Sequence, residues 1–308
     1  MNNQQPSYSL IIPHFNDTIR LERLLRSVPV ERADLEVIVV DDCSTEQNIL
    51  VIVQARWPSV HWLSTQENSG AGAARNVGLD AAMGSWLVFA DSDDEFLPAA
   101  FEQFDQVLRE DDQLVYFLAE AVQEADGSPS VRAEGMNALV EAFAAGGDQT
   151  TQQRLRLHHV VPWAKVYSRD FIEAKKLRFD AVRHGNDVAF NVLCGIQANK
   201  IHAFPNPVYR VYRRPQSLTA NLSAEVFMQR FLVSVSVAER LATLGYKRIW
   251  PGTGQMLMSL RYGPRLTLKV WWLVFRSPMK IDIFRALDIK RWWGFIHKKI
   301  KTKSELVG

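Results

Sequence analysis

Cysteine is scarce in this chain of 308 residues: Cys43 and Cys194 are too few and too far apart for a disulfide-stapled fold or a thiolate metal cluster. A reducing compartment is the simpler setting. No stretch reaches the roughly 18 consecutive apolar residues that a spanning helix needs, and the nearest, LTLKVWWLVF, is short and contains Lys269. The first residues, MNNQQPSYSL, lack a basic leader followed by an apolar run, so no secretory signal is expected. Internal repeats and His/Cys zinc spacings are missing too. What remains is globular in composition, 47% hydrophobic and 23% charged, enough for one large core or two modest ones.

The net charge of +2 conceals a polarity along the chain. From Arg261 onward twelve Lys and Arg face three acids, whereas the preceding part carries 24 basic against 31 acidic residues. Different partners are expected for the two parts, and no nucleic acid is among them. The tail IDIFRALDIKRWWGFIHKKIKTK sets Ile283, Phe284, Leu287, Trp292, Phe295 and Ile296 roughly along one side, with Lys290, Arg291, Lys298, Lys299 and Lys301 available to headgroups. Four of nine tryptophans, Trp271, Trp272, Trp292 and Trp293, fall within 23 residues. This pattern predicts a peripheral helix on an anionic membrane surface, the inner face of the cytoplasmic membrane. A helix docked on the protein with a solvated basic face would share the pattern.

Short apolar runs alternate with helix-like segments over the first 120 residues: YSLIIP, LEVIVVD, VHWLS, SWLVFAD and LVYFLAE. That order predicts an α/β fold with a mostly parallel central sheet flanked by helices. Between the first two runs Leu21, Leu24, Leu25 and Val28 share a helical face behind Asp17, a candidate N-cap. From about residue 123 the pattern loosens, with a turn at Asp126 and a polar stretch over 145–153 that reads as a loop. Regular signals return at VVPWAKVYS, RDFIEAKKL, GNDVAFNVLCGIQA and NPVYRVYRR. Beyond Ser223 the chain reads as a helical extension broken by Pro and Gly.

Open α/β sheets bind ligands beyond the carboxyl ends of their strands, and three runs end on conspicuous polar groups. They are Pro13-His14-Phe15-Asn16, Asp41-Asp42 and Asp91-Ser92-Asp93-Asp94. Three carboxylates within four residues repel one another unless a cation neutralises them. Mg²⁺ or Mn²⁺, which prefer oxygen ligands and often share them with phosphates, suit that cluster.

In that order and spacing, IIPHFN, VIVVDDCS and NSGAGAARNVGLDAAMGSWLVFADSDD resemble glycosyltransferase family 2. The likeness continues through VPWAKVYSRDFI, LRFDAVRHGNDVAF and VYRVYRRPQSLT, similar to bacterial members that build surface polysaccharides, and covers roughly residues 7 to 220. It implies a GT-A fold with a catalytic domain over 1–222, divided into a nucleotide-sugar half (7–122) and an acceptor half (123–222), followed by the helical extension over 223–308. It also implies a nucleotide-sugar donor, with uridine the expected base, and a glycan or lipid-linked acceptor.

Carried over residue by residue, the resemblance places Pro13, Phe15 and Asp42 around the nucleobase and Arg75 near the phosphates. Asp91 falls at the ribose or metal shell and Asp93 on the metal. Asp187 in HGNDVAF is the candidate base for the acceptor hydroxyl. Family members usually read Glu-Asp there, and this chain has Asn186 before Asp187. Trp163 is either a core indole or a ring face for a sugar. Arg213, matching the family's Tyr-Arg, is the arginine of its strand expected near the diphosphate. The implied reaction inverts the anomeric centre. A silent nucleotide-binding scaffold is the rival outside catalysis; a sugar nucleotidyltransferase would need a Gly-rich basic signature after the first strand, which PHFNDTIR is not.

Overall fold

The computed structural model describes residues 6–214 and 223–282. The tail from Ile283 onward, on which most of the membrane expectation rests, lies outside the described residues. By its internal contacts the chain divides into two compact units, Met1–Asn221 and Leu222–Gly308.

The first unit runs β1 (Tyr8–His14), α1 (Thr18–Ser27), β2 (Leu35–Asp41), α2 (Gln47–Arg56), β3 (His61–Ser64), α3 (Ala71–Ala81) and β4 (Trp86–Phe89). It continues with β5 (Glu95–Phe96), α4 (Ala100–Val107), β6 (Leu114–Gln123), α5 (Glu134–Ala144), α6 (Gln149–His158), β7 (Lys165–Ser168), α7 (Arg169–Ala174), α8 (Val188–Gln197) and β8 (Ile201–Arg213). All eight strands form one sheet in the order β3-β2-β1-β4-β7-β6-β8-β5. β1 pairs parallel with both β2 and β4, so the chain direction of strand addition reverses beside β1. Every residue of β1 and β2 is buried, as expected of central parallel strands covered on both faces.

Alternation sorts the strand side chains into two cores. Leu10, Ile12, Val37 and Val39 pack with Leu21, Leu24 and Leu25 of α1 and with Phe101 and Phe104 of α4. Ile11, Ile38 and Val40 point to the opposite face, where Ala74 and Leu79 of α3 join Phe171, Phe179 and Phe190. The face predicted for α1 is therefore the buried one. Asp17 stands at its N-cap position but makes no capping bond; its carboxylate pairs with Arg20 at 2.9 Å instead.

Beyond β4 the sheet is mixed. β7 runs antiparallel to both β4 and β6, while β6 and β8 are parallel. The run ending at Phe96 adds a two-residue strand antiparallel to β8, too short to stand out as a period. The polar stretch read as a loop over 145–153 holds the start of α6. Asp148 caps that helix by accepting the Thr151 N–H at 2.9 Å, and Gly146 at φ +86° ends α5 just before it.

The second unit contains α9 (Ala224–Thr243), capped by Ser223, then α10 (Thr253–Ser259), a 3-10 turn (Leu260–Tyr262) and α11 (Pro264–Arg276). Phe227 stacks on Tyr262 at 4.8 Å between ring centroids, and Trp271 Nε1 donates to the Met256 carbonyl at 3.1 Å. α11 buries Val270 and Val274 and exposes Leu268, Trp272 and Phe275 together with Arg265, Lys269 and Arg276. Among the described residues no helix is long and apolar enough to cross a membrane.

Candidate active site

The carboxyl edge of the parallel strands gathers the first set of polar groups. At the end of β2, Asp42 is buried, and its two oxygens accept from Thr65 Oγ1 (2.9 Å) and from the N–H groups of Ser69 (3.0 Å) and Gly70 (2.7 Å). Gly70 adopts φ +87°, a conformation only glycine enters freely, which turns its N–H onto the carboxylate. Asp41 accepts from Ser44 and Gln47. The loop after β1 is tied to the loop after β2, since Asn16 N–H donates to Ser44 Oγ and Thr45 N–H donates to Asn16 Oδ1, each at 2.8 Å. Pro13 is buried in β1, whereas Phe15 just beyond the strand is 44% exposed, an open aromatic face beside Asp42's loop.

β4 leads into the acidic cluster. One carboxylate oxygen from each of Asp91, Asp93 and Asp94 lies within 4.8 Å of the others. Asp94 is buried and accepts the Tyr212 N–H at 2.9 Å, and the Tyr209 hydroxyl accepts the Asp91 N–H at 2.9 Å. Burial, reinforced by the neighbouring carboxylates, pushes Asp94 well above the usual Asp range and raises Asp93 as well. Two guanidiniums offset this crowding. Arg75 Nη2 binds Asp91 at 2.5 Å, and Arg214 Nη2 binds Asp93. Oxygen donors, mutual repulsion and a spacing of a few ångströms fit a hard divalent cation, Mn²⁺ or Mg²⁺, with Asp91 and Asp93 as the accessible ligands.

Arg75 links this cluster to the second half. It is 4% exposed, and its Nη1 reaches Asn186 Oδ1 at 2.9 Å. The close approach depends on Gly72, one turn earlier in α3, where a Cβ would collide with the Asp180 carbonyl and the Asn186 side chain. Arg75 is thus a buried arginine, paired with Asp91 from within the fold. Asn186, where family members usually carry an acid, is the amide that receives this arginine.

Next to it, Asp187 occupies the N-cap position of α8 without capping. Its backbone is helical (φ −90°, ψ −21°) and its side chain accepts no helix N–H, unlike Asp148, Ser168 and Ser223 at the starts of α6, α7 and α9. The mundane role of an aspartate at a helix start is thus unfilled, and the carboxylate stays half-buried. Burial raises its pKa, opposed by Arg75 and augmented by Asp91.

Trp163 is 2% exposed and stacks on Tyr209 with centroids 5.9 Å apart and planes 13° from parallel. The indole thus packs in the core and backs the tyrosine whose hydroxyl accepts the Asp91 N–H. Arg214, the residue just after β8, is the arginine that reaches Asp93, whereas its neighbour Arg213 does not. Arg213 is exposed and forms no ion pair among the described residues. Successive strand side chains alternate in direction, so a one-residue difference sends the head group elsewhere. Arg210 is engaged by Glu95 (2.7 Å) and Glu120 (2.8 Å). Sequence reasoning had no signal for Tyr209, which carries chemistry only through its distance to Asp91.

Residues 9–174 match the glycosyl transferase family 2 domain. An uncharacterized glycosyltransferase, YibD, of Escherichia coli (strain K12) is 27% identical over 230 residues, covering 71% of this chain and 65% of that protein. The succinoglycan biosynthesis protein ExoO of Rhizobium meliloti (strain 1021) is 29% identical over 205 residues, covering 62% and 57%. The matches thus span less than two thirds of the length of these relatives. Among solved structures, S. aureus TarS 1-349 in complex with UDP aligns with a TM-score of 0.55 at 20% identity, over 82% of this chain and 69% of that one, which shows a shared GT-A fold. With the domain match extending over more than half of its length, this chain belongs to glycosyl transferase family 2.

Proposed function

We propose that this protein is an inverting, metal-dependent glycosyltransferase that moves a sugar from a UDP-sugar to a glycan or lipid-linked acceptor in cell-surface polysaccharide synthesis. The observation that carries this reading is the continuous path Asp93, Asp91, Arg75, Asn186, Asp187, which joins a cation-binding acidic cluster to an uncapped carboxylate. Similarity to ExoO and to TarS, whose solved structures hold UDP and UDP-GlcNAc, supports the donor class and the setting.

In this reading residues 7–122 hold the nucleotide. Phe15 offers its ring to uracil, Pro13 and the Asp42 loop shape the rim, and Arg75 sits near the diphosphate. Asp91 and Asp93 would hold Mn²⁺ or Mg²⁺, whose contribution is to neutralise the charge that develops on a departing nucleoside diphosphate. Arg214, now on Asp93, is a local cation available to the same charge. Within 123–222, Asp187 takes the acceptor hydroxyl's proton as that oxygen attacks the anomeric carbon. The bond from that carbon to the diphosphate breaks on the opposite face, and configuration inverts.

The extension over 223–308 is proposed to rest on the inner face of the cytoplasmic membrane. The mixed basic and apolar exposed side of α11 supports this. Deletion from residue 264 onward should release the protein from the membrane fraction; unchanged fractionation would remove this part of the proposal alone.

The decisive experiment measures UDP release from a panel of UDP-sugars (glucose, galactose, N-acetylglucosamine) with Mn²⁺ and after chelation. Release that depends on the metal supports the reading. No release from any member would favour a scaffold without catalysis.

A further inference from the structure

A lysine is buried beneath the acceptor half without a carboxylate to bind. Lys165 opens β7, is 1% exposed, and its Nζ donates to the His159 carbonyl and to Asn191 Oδ1, each at 2.7 Å. The ammonium also lies over the ring of Tyr116, 5.0 Å from its centroid. Ala164, at φ +52°, breaks the alternation of the strand. Trp163 therefore packs with Tyr209 on one side of the sheet, while Lys165 meets Tyr116 and Tyr167 on the other.

Asn191 is the hub of this arrangement. It is fully buried in α8, and all four of its hydrogen-bonding positions are used. Oδ1 accepts from Lys165 and from Tyr167 Oη (2.7 Å); Nδ2 donates to the Val160 carbonyl (3.2 Å) and to the Asp187 carbonyl (2.8 Å). Two donors on one side of the amide and two carbonyls on the other fix its orientation. The Asn191 N–H also reaches the Asp187 carbonyl, at 3.0 Å. The backbone of Asp187 is thus gripped twice by a residue that Lys165 holds in place.

We propose that Lys165 is a positioning residue for Asp187, acting through Asn191 to set the start of α8. This rests on the reading of Asp187 as the acceptor's base.

The ammonium lies over the rings of Tyr116 and Tyr167 and interacts electrostatically with His159, Cys194 and Asp187. Burial holds four of them neutral, since it drives His159 down and the two tyrosines and the Cys194 thiol up. Asp187 is then the one counter-charge in the set, and it is the group whose ionisation the reaction needs. Burial also lowers Lys165 itself, to about 7, so its charge is set near neutral pH. While protonated, Lys165 favours the carboxylate form of Asp187, offsetting part of the cost of its burial.

The test compares the full chain with Lys165→Met, Asn191→Asp and Asp187→Asn, using UDP-GlcNAc and Mn²⁺ for turnover across pH and UDP for binding by calorimetry. Expected for Lys165→Met is a fall in kcat of about tenfold with donor KM within about twofold, and an acidic limb of the kcat profile moved up by about half a pH unit or more. Asn191→Asp keeps the side chain's size and gives the ammonium its own anion, so its limb should move the same way. That variant carries the test should Lys165→Met fail to fold. UDP affinity stays as in the parent for both. A limb that stays in place while kcat and Tm fall alike at every pH would overturn the inference and make Lys165 a purely structural lysine. If Asp187→Asn loses turnover while the limbs of the other variants are unmoved, the positioning role fails and the base survives. Full turnover by Asp187→Asn removes both.

Discussion

Asp42 and Asp187 are both acids at the edge of a secondary-structure element, and the structure treats them oppositely. Asp42 ends a strand, and its oxygens are occupied by a hydroxyl and two backbone N–H groups that fold the loop around Gly70. Asp187 begins a helix yet binds none of its N–H groups, although nearby Asp148 does so for α6. Asp42, Asp91 and Asp93 are spent on holding a loop or pairing with arginines, whereas Asp187 caps nothing and is tied through its carbonyl to the buried Asn191. What an acid already binds separates these roles better than where it falls in a motif.

The contrast is sharpest for turnover. Asp93→Ala should lower metal-dependent UDP release by about 100-fold or more with little loss of Tm, because its strong partner, Arg214, is half-exposed and can be resolvated. Unchanged release would break the whole account. Asp187→Asn should cost about 100-fold in kcat while UDP binding, measured by calorimetry, stays within about twofold. A loss of UDP affinity instead would mean that the two halves are not functionally separate.

The same carboxylate predicts a pH dependence. Burial raises the pKa of Asp187, so its ionised, proton-accepting form is lost as pH falls through a value above the ordinary Asp pKa of about 4. The acidic limb of kcat should therefore lie above that value in the parent, and a limb at ordinary carboxylate pH would place the base elsewhere. Gly72→Ala should lower stability by about 1–3 kcal/mol and reduce kcat, read by melting and UDP release, since α3 must back away from Asn186 and Arg75 would lose its reach. The smallest effect belongs to Trp163→Phe, expected to lower stability by about 1–2 kcal/mol with KM unchanged. A specific rise in KM would return the indole to the sugar pocket.

Much of the first unit was legible from residue order alone. The runs that became β1 to β4 are apolar because both faces of a central parallel sheet are covered, and the face of α1 followed from Leu21, Leu24 and Leu25. Less visible were the parts whose pattern is weak by nature. β5 is only two residues long, α6 is polar on most of its surface, and β7 reads the same whichever way it runs beside β4. Among the candidate site residues, Asp91 and Asp93 stand out by type and spacing, whereas Asp187 is picked out by the resemblance to the family. That Arg214 is the arginine on Asp93 is not legible in the sequence, because strand phase near a chain turn cannot be counted from residue order.

The sequence by itself determined the α/β order and the acidic strand ends, because periodicity and residue chemistry are local properties; Asp187 became a candidate base only through the family resemblance. Only the tertiary structure decided that Arg75 joins Asp91 to Asn186, that Trp163 is covered by Tyr209, and that Lys165 grips Asp187 through Asn191. Those links connect residues up to 111 positions apart. They depend on sheet order, on a glycine's missing Cβ and on one left-handed alanine, which act only once distant segments have packed.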